Sequence, residues 1–177
     1  MEFYSLPADE AAVRRYVDEL WLPYHRELEA IVDGHALADT DTAALLAAEV
    51  EFRLERLETN DYRTWIAVDE SCDGDSVGRP LADGELAGFV ATEIDESPPV
   101  FDRPDRLVVT DIYVREPYRG TGLADDLIDR ATKRAQEATC TELALEVDVD
   151  NDRAIAFYEK RGFETDRRRL TIPVDNS

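Results

Sequence analysis

The stretch RLVVTDIYVREPYRGTGLADDLIDRA, residues 106–131, constrains this chain most. Its first nine residues, RLVVTDIYV, are rich in β-branched and apolar side chains and read as a strand, Arg106–Val114. A short turn follows, and then Arg119-Gly120-Thr121-Gly122-Leu123-Ala124 opens a helix. Leu123, Leu127, Ile128, Ala131 and Ala135 lie at helical spacing and form its apolar stripe. Two glycines at a helix start let backbone N–H groups point outward unobstructed, and the helix dipole adds positive potential there. Such a turn suits an anion, a pyrophosphate above all, with Arg119 able to add a charge-assisted contact. Rival phosphate motifs fit poorly. The dinucleotide pattern would need glycine where Asp125 stands, and the Gly-Lys-Ser/Thr of a P-loop is missing. Taken alone, the segment is equally a plain glycine-rich turn.

About thirty residues later comes NDRAIAFYEKRGFE, from Asn151 onward. With it, Arg119-x-x-Gly122-x-Ala124 resembles the acetyl-CoA motif Q/R-x-x-G-x-G/A of the GNAT superfamily of N-acetyltransferases. Asn151 to Phe163 resembles that superfamily's second motif, N-x-x-A-x-x-F-Y-x-K-x-G-F. Both motifs are in order and in register. The resemblance is close over residues 84–172 and holds only in outline for the first eighty.

The resemblance implies a single α+β domain with a central mixed, twisted sheet flanked by helices, in the order β-α-α-β-β-β-α-β-α-β. Residues 1–83 would form the variable acceptor side and 84–172 the part that binds acetyl-CoA as cosubstrate, without a metal. Two parallel strands, Arg106–Val114 and Thr141–Val149, would splay to admit the pantetheine arm. Ile112, Tyr113 and Val114 would pair with its amides. Arg119, Gly120, Thr121, Gly122, Leu123 and Ala124 would hold the pyrophosphate. Asn151 would cap the last helix and touch the cofactor arm. Tyr158 matches the family's general acid, though by itself it also reads as a core tyrosine beside Phe157. Asp111 leads as general base, with Glu93 a weaker choice, and a solvent-facing strand carboxylate is the competing reading of Asp111. The implied partner is an amine-bearing acceptor, small molecule or protein, and a homodimer is one expected assembly. A non-catalytic acyl-CoA-binding module is the alternative to an enzyme.

The remaining elements follow from periodicity. Glu2–Leu6 reads as a strand, and Asp9 caps a helix to about Leu20. Pro23 should break or bend the chain near Trp21–Tyr24 before a second short helix. Asp39 or Asp41 starts a helix ending near Glu58 with a mixed face. Strands are expected at Thr64–Asp69, Glu85–Ile94 and Phe163–Pro173. The glycine-rich stretch between the first two reads as a long hairpin loop, and Ser97–Asp105 as a second loop.

Composition closes off other classes. Of 177 residues, 41 are Asp or Glu and 20 are Lys or Arg, giving a net charge of −21. Only Lys133 and Lys160 are lysines. A surface this acidic lacks the cationic footprint that nucleic acid requires. No apolar run approaches a membrane span, and the first ten residues do not read as a signal peptide, so a cytoplasmic chain is expected. Scattered acids and scarce lysine resemble halophilic archaeal proteins. The charge is uneven: residues 1–105 carry −18 and residues 106–177 only −3. The C-terminal part can therefore tolerate an anionic ligand. Cys72 and Cys140 are too few for a disulfide framework. His25 and His35 read as surface or helix-end residues.

Overall fold

The computed structural model describes residues 1–39, 41–70, 80–167 and 169–173. The chain divides into two compact units, Met1–Glu146 and Val147–Ser177. The first holds a five-stranded sheet of strand order β1-β2-β3-β4-β5. Its strands are β1 (Glu2–Ser5), β2 (Tyr62–Asp69), β3 (Glu85–Asp95), β4 (Arg106–Val114) and β5 (Glu142–Leu145). The first four pair antiparallel and β5 joins β4 in parallel, so the sheet is mixed.

Helices α1 (Glu10–Tyr16), α2 (Leu22–Glu29) and α3 (Thr42–Glu58) belong to one side of this unit. Tyr16, Leu20 and Val50 pack there with Ile66, Phe89 and Tyr113. Helix α5 (Leu123–Glu137) covers the other face, with Leu127 and Ala131 against Ala67, Val90 and Leu107. A short α4 (Pro80–Asp83) precedes β3. Asp9 and Asp41 cap α1 and α3, each accepting a backbone N–H three residues on, as their spacing predicts. Among the described residues no helix is long and apolar enough to cross a membrane.

Three differences from the sequence reading have local causes. Instead of breaking at Pro23, the chain widens into a π-helical turn at Val17–Trp21 and runs on into α2. Pro23 cannot donate to the carbonyl of Glu19, and a wider turn upstream absorbs that loss without ending the helix. Second, β5 is short: pairing with β4 ends at Val109↔Leu145, not at Val149. Third, the expected last strand, Phe163–Pro173, is not formed among the described residues. A strand exists through its ladder. Among the described residues the second unit holds one helix, α6 (Asp152–Lys160), and no strand. Leu170 and Ile172 are accordingly exposed. The loop expected at Ser97–Asp105 is present. Most of the loop before α4, including Cys72, lies outside the described residues.

Between β3 and β4 the register slips once. Ala91 faces Asp111 and Thr92 faces Val109, so Thr110 has no partner on β3. This one-residue bulge reverses the side-chain alternation of β4. Leu107 and Val109 point to the α5 side, whereas Tyr113 points to the α1–α3 side. Gly88 serves the same junction: a Cβ there would meet the Tyr113 carbonyl oxygen at 2.5 Å.

Candidate active site

The bulge at Thr110 sits one residue beyond the end of β5 pairing, so the last five residues of β4 have no β5 partner. Bulges bend a strand and end its pairing, and here both happen together. On the other edge, the amide of Arg115 bonds the Ala87 carbonyl at 3.0 Å. Backbone groups alternate along a strand, so those of Tyr113 face β3 while those of Ile112 and Val114 face the open edge. Of the three residues expected to offer backbone to pantetheine, Ile112 and Val114 are so directed and Tyr113 is not.

That edge leads into the glycine turn. Gly120 and Gly122 have φ of +76° and +93°, a backbone that glycine alone adopts freely. A Cβ on either would meet nothing within 4 Å, so the surface above them is clear. Gly122 is the N-cap of α5 and supplies no side chain to the first-turn amides, including those of Leu123 and Ala124. Thr121 turns its hydroxyl back to the Tyr118 carbonyl at 2.7 Å. These are the features an anion site needs.

Arg119 is engaged elsewhere. Its Nε donates to the Val114 carbonyl at 3.0 Å, and Nη2 donates to Glu27 of α2. Glu27 also accepts from the Tyr113 hydroxyl at 2.7 Å. Burial and the bond to Glu27 push the Tyr113 phenol up to about 12. Arg119 thus locks the turn to the strand end, and Glu27, absent from the sequence reading, ties α2 to both.

Asp111 does not face solvent as a plain strand carboxylate. The reversed alternation puts it beside Arg53 of α3, Oδ2 to Nη2 3.5 Å. Arg53 is buried; its Nε donates to Glu49 and its Nη1 to the Tyr62 hydroxyl. Its guanidinium lies against the rings of Tyr16 and Tyr62. Burial pushes the Glu49 carboxyl up, with Arg53 opposing. The signal for Arg53 was present in the sequence: it falls on the stripe Leu46, Val50, Arg53, Leu57, where a buried arginine requires partners. Glu93, the weaker base candidate, is held by Arg56 at 2.7 Å. His25 is half-buried, its ring 4.4 Å from that of Trp21 and 4.7 Å from that of Tyr24. Cys140 is buried, as expected of a small apolar side chain.

In the second unit Asn151 caps α6, its Oδ1 accepting from the Ala154 amide at 3.2 Å. The helix closes in a Schellman motif: Phe163 N–H to Tyr158 C=O and Gly162 N–H to Glu159 C=O, both 3.0 Å, with Gly162 at φ +88°. The accompanying apolar contact joins Tyr158 to Phe163, ring centroids 5.6 Å apart. Phe157 stands edge-on to Tyr158 on the other side at 5.4 Å. The K-x-G-F ending of the motif is therefore a clamp on the tyrosine ring.

Burial lowers the pKa of His25, with Arg53 pushing the same way and Asp111 opposing. The unfolded chain then binds more protons between the folded and unfolded pKa values, so stability rises with pH across that window. It is fully present above the ordinary histidine value and is lost as pH falls towards the folded one. We expect the urea midpoint to rise as pH climbs towards the ordinary histidine value of about 6.5, and His25→Gln to flatten part of that rise. Superimposable profiles for the two proteins would show that His25 does not carry it.

Comparison with known proteins agrees with this architecture. The model of the Acetyltransferase (GNAT) family matches residues 42–163. N-alpha-acetyltransferase MAK3 of Arabidopsis thaliana is 34% identical over 80 residues, 45% of this chain and 40% of that protein. The chain thus spans less than half the length of that relative. A mutant protein from Bacillus halodurans shares the fold at TM-score 0.74 and 16% identity, covering 98% of this chain and 99% of that one. The aminoglycoside N-acetyltransferase AAC(6')-Iy, solved with CoA, does so at TM-score 0.66 and 16% identity, covering 98% and 93%. With two thirds of its length matched and both sequence motifs present, this chain belongs to the GNAT acetyltransferase family.

Proposed function

We propose that this protein is an acetyl-CoA-dependent N-acetyltransferase, formed by residues 1–177 acting as one catalytic domain. The observation that carries the reading is the continuous run from the open edge of β4 to the uncapped N-terminus of α5. A pantetheine arm is a string of amides, and the backbone of Ile112 and Val114 offers it a strand edge. A pyrophosphate is met by the amides of Gly120–Ala124. Arg119 supports the turn from below, and Asn151 supplies a further contact beside its cap. Residues 1–83 serve the acceptor and 84–172 the cofactor.

In the reaction the amine nitrogen attacks the thioester carbonyl carbon. A C–N bond forms, the C–S bond breaks, and CoA leaves as thiolate. The Val114 N–H stabilises the oxyanion. Asp111 takes the proton that the amine must lose, and Tyr158 gives one to the thiolate. A phenolic O–H is a competent donor at neutral pH, and the ring of this one packs against Phe157 and Phe163. No covalent enzyme intermediate is required.

Acetyl-CoA and CoA are expected to raise the melting temperature through mass action on the folded state. Gly122→Val should abolish that shift, because a β-branched side chain at φ +93° both strains the turn and covers its amides. A full shift in that variant would place the phosphates elsewhere.

Tyr158→Phe keeps the ring packing and removes the proton. We expect it to keep the CoA-induced shift while kcat falls by about 10²-fold. Unchanged kcat in a stable variant would remove Tyr158 from the mechanism.

The net charge of −21 fits a cytoplasm rich in salt. Repulsion among these carboxylates is weakly screened when the Debye length is ~30 Å at 0.01 M and strongly screened at ~3 Å in 1 M salt. The melting temperature should therefore climb steadily from dilute buffer to molar KCl. A flat profile would count against the halophilic assignment.

A further inference from the structure

Glu27 of α2 sets its two carboxylate oxygens on two different points of the cofactor side. Oε1 accepts from the Tyr113 hydroxyl at 2.7 Å, near the end of β4. Oε2 accepts from Nη2 of Arg119, the first residue of the glycine motif. Arg119 closes the triangle: its Nε donates to the Val114 carbonyl at 3.0 Å, and its guanidinium carbon lies 5.8 Å from the centre of the Tyr113 ring. One carboxylate thus ties the strand end to the turn that follows it.

The helix that presents Glu27 is itself packed down. Three residues earlier, the Tyr24 ring lies 5.7 Å from that of Tyr113 and 5.9 Å from that of Phe89. The next residue, Leu28, is buried. Glu27 therefore reaches Arg119 from a fixed base.

A carboxylate beside a turn suited to an anion needs a reason, since like charges repel. Stability does not supply it. The Glu27 side chain is 46% exposed and that of Arg119 24%, and an ion pair so open to water contributes little. Attraction does not supply it either, because Glu27 offsets the charge that Arg119 would offer to phosphate. What remains is geometry. Gly120 and Gly122 give the turn its positive φ values and also the freedom to leave them. An arginine held at Nε and Nη2 together restrains the entry to that turn. Anion hydrogen bonds weaken steeply with distance and angle, so a small drift of the turn loosens several at once.

We propose that Glu27 is a positioning residue for the cofactor. Acting through Arg119, it sets the glycine turn that takes the pyrophosphate against the strand edge that takes the pantetheine amides. The proposal rests on the acetyltransferase reading and deepens it: a helix of the acceptor side governs how firmly the anionic half of the cofactor is held. Its effect must then depend on the pyrophosphate and vanish for a ligand without one.

The test compares CoA, by calorimetry, with pantetheine, by thermal-shift titration; pantetheine has the same amides and thiol but no phosphate. Glu27→Gln keeps an acceptor for Tyr113 and loses the one for Arg119. It should weaken CoA by about 10-fold and pantetheine by less than about 2-fold, with the unliganded melting temperature hardly moved. Arg119→Gln should weaken CoA similarly, and adding Glu27→Gln to it should cost less than about 2-fold more. Equal weakening of both ligands would assign Glu27 to the fold alone. Unchanged or tighter CoA binding in Glu27→Gln would mean that the carboxylate positions nothing or merely repels phosphate. Additive losses in the double variant would show that Glu27 does not act through Arg119, and this cycle decides alone where pantetheine binds too weakly to follow. Each of these overturns the proposal. Absence of CoA binding in the parent overturns the acetyltransferase reading itself, and the role of Glu27 with it.

Discussion

One extra residue in β4 governs the geometry of the first unit. Without the bulge at Thr110, positions 107, 109, 111 and 113 would share a face, and Asp111 would point at the apolar stripe of α5. With it, Asp111 meets Arg53 and Tyr113 meets Glu27, both from the helices of the opposite layer. The same bulge marks where β5 lets go. A carboxylate, a tyrosine and a free backbone edge therefore gather at one strand end through a single register slip. Further along, Gly88 on the neighbouring strand stands where the Tyr113 carbonyl comes too close for any side chain.

Arg53 is a costly way to fill the space between α3 and the sheet. Taking a guanidinium and two carboxylates out of water carries a penalty of several kcal/mol per ion, and apolar residues of similar volume often serve stability better. The cluster tolerates that cost because each Arg53 nitrogen finds a partner, in Glu49, Tyr62 and Asp111. The contrast with Arg134 is useful. Arg134 is equally buried but bonds only neutral acceptors, the Thr92 hydroxyl and the Thr92 and Asp61 carbonyls. That arginine staples α5 to β3 and to the residue just before β2, through neutral oxygens alone. Arg53 holds two, and that difference separates a structural cation from one that organises a site.

What the sequence made legible is what local backbone chemistry dictates. The glycines at 120, 122 and 162 all stand at positive φ, and a motif that specifies glycine there is specifying a conformation. Asp9, Asp41 and Asn151 announce helix starts because a short polar side chain satisfies an amide three residues ahead. The unreadable features depend on distant partners. Nothing near Thr110 in the sequence announces a bulge, because a bulge is defined by the strand opposite. Glu27 and Arg119 are 92 residues apart. The segment 163–173 reads as a strand from its residues, yet propensity alone does not create a ladder, and among the described residues it makes none. Pro23 lies between these cases: a disturbance of the helix was readable, while the π turn that absorbs it without a break depends on the packing of Tyr16, Leu20 and Trp21.

Screening decides which of the many carboxylates bear on ligand choice. The −18 carried by residues 1–105 is mostly on the surface, where it can draw cations from a distance only while the Debye length exceeds the spacing of charges. At molar salt that reach shrinks to about 3 Å, and a surface carboxylate becomes nearly silent. Glu49 and Asp111, largely withdrawn from water beside Arg53, are screened much less. By the same reasoning the phosphates of a cofactor are better held by backbone amides than by exposed arginines. Those amides act at hydrogen-bond distance, where salt does not compete on equal terms. Here the one arginine of the glycine motif is turned inward to Glu27 and Val114.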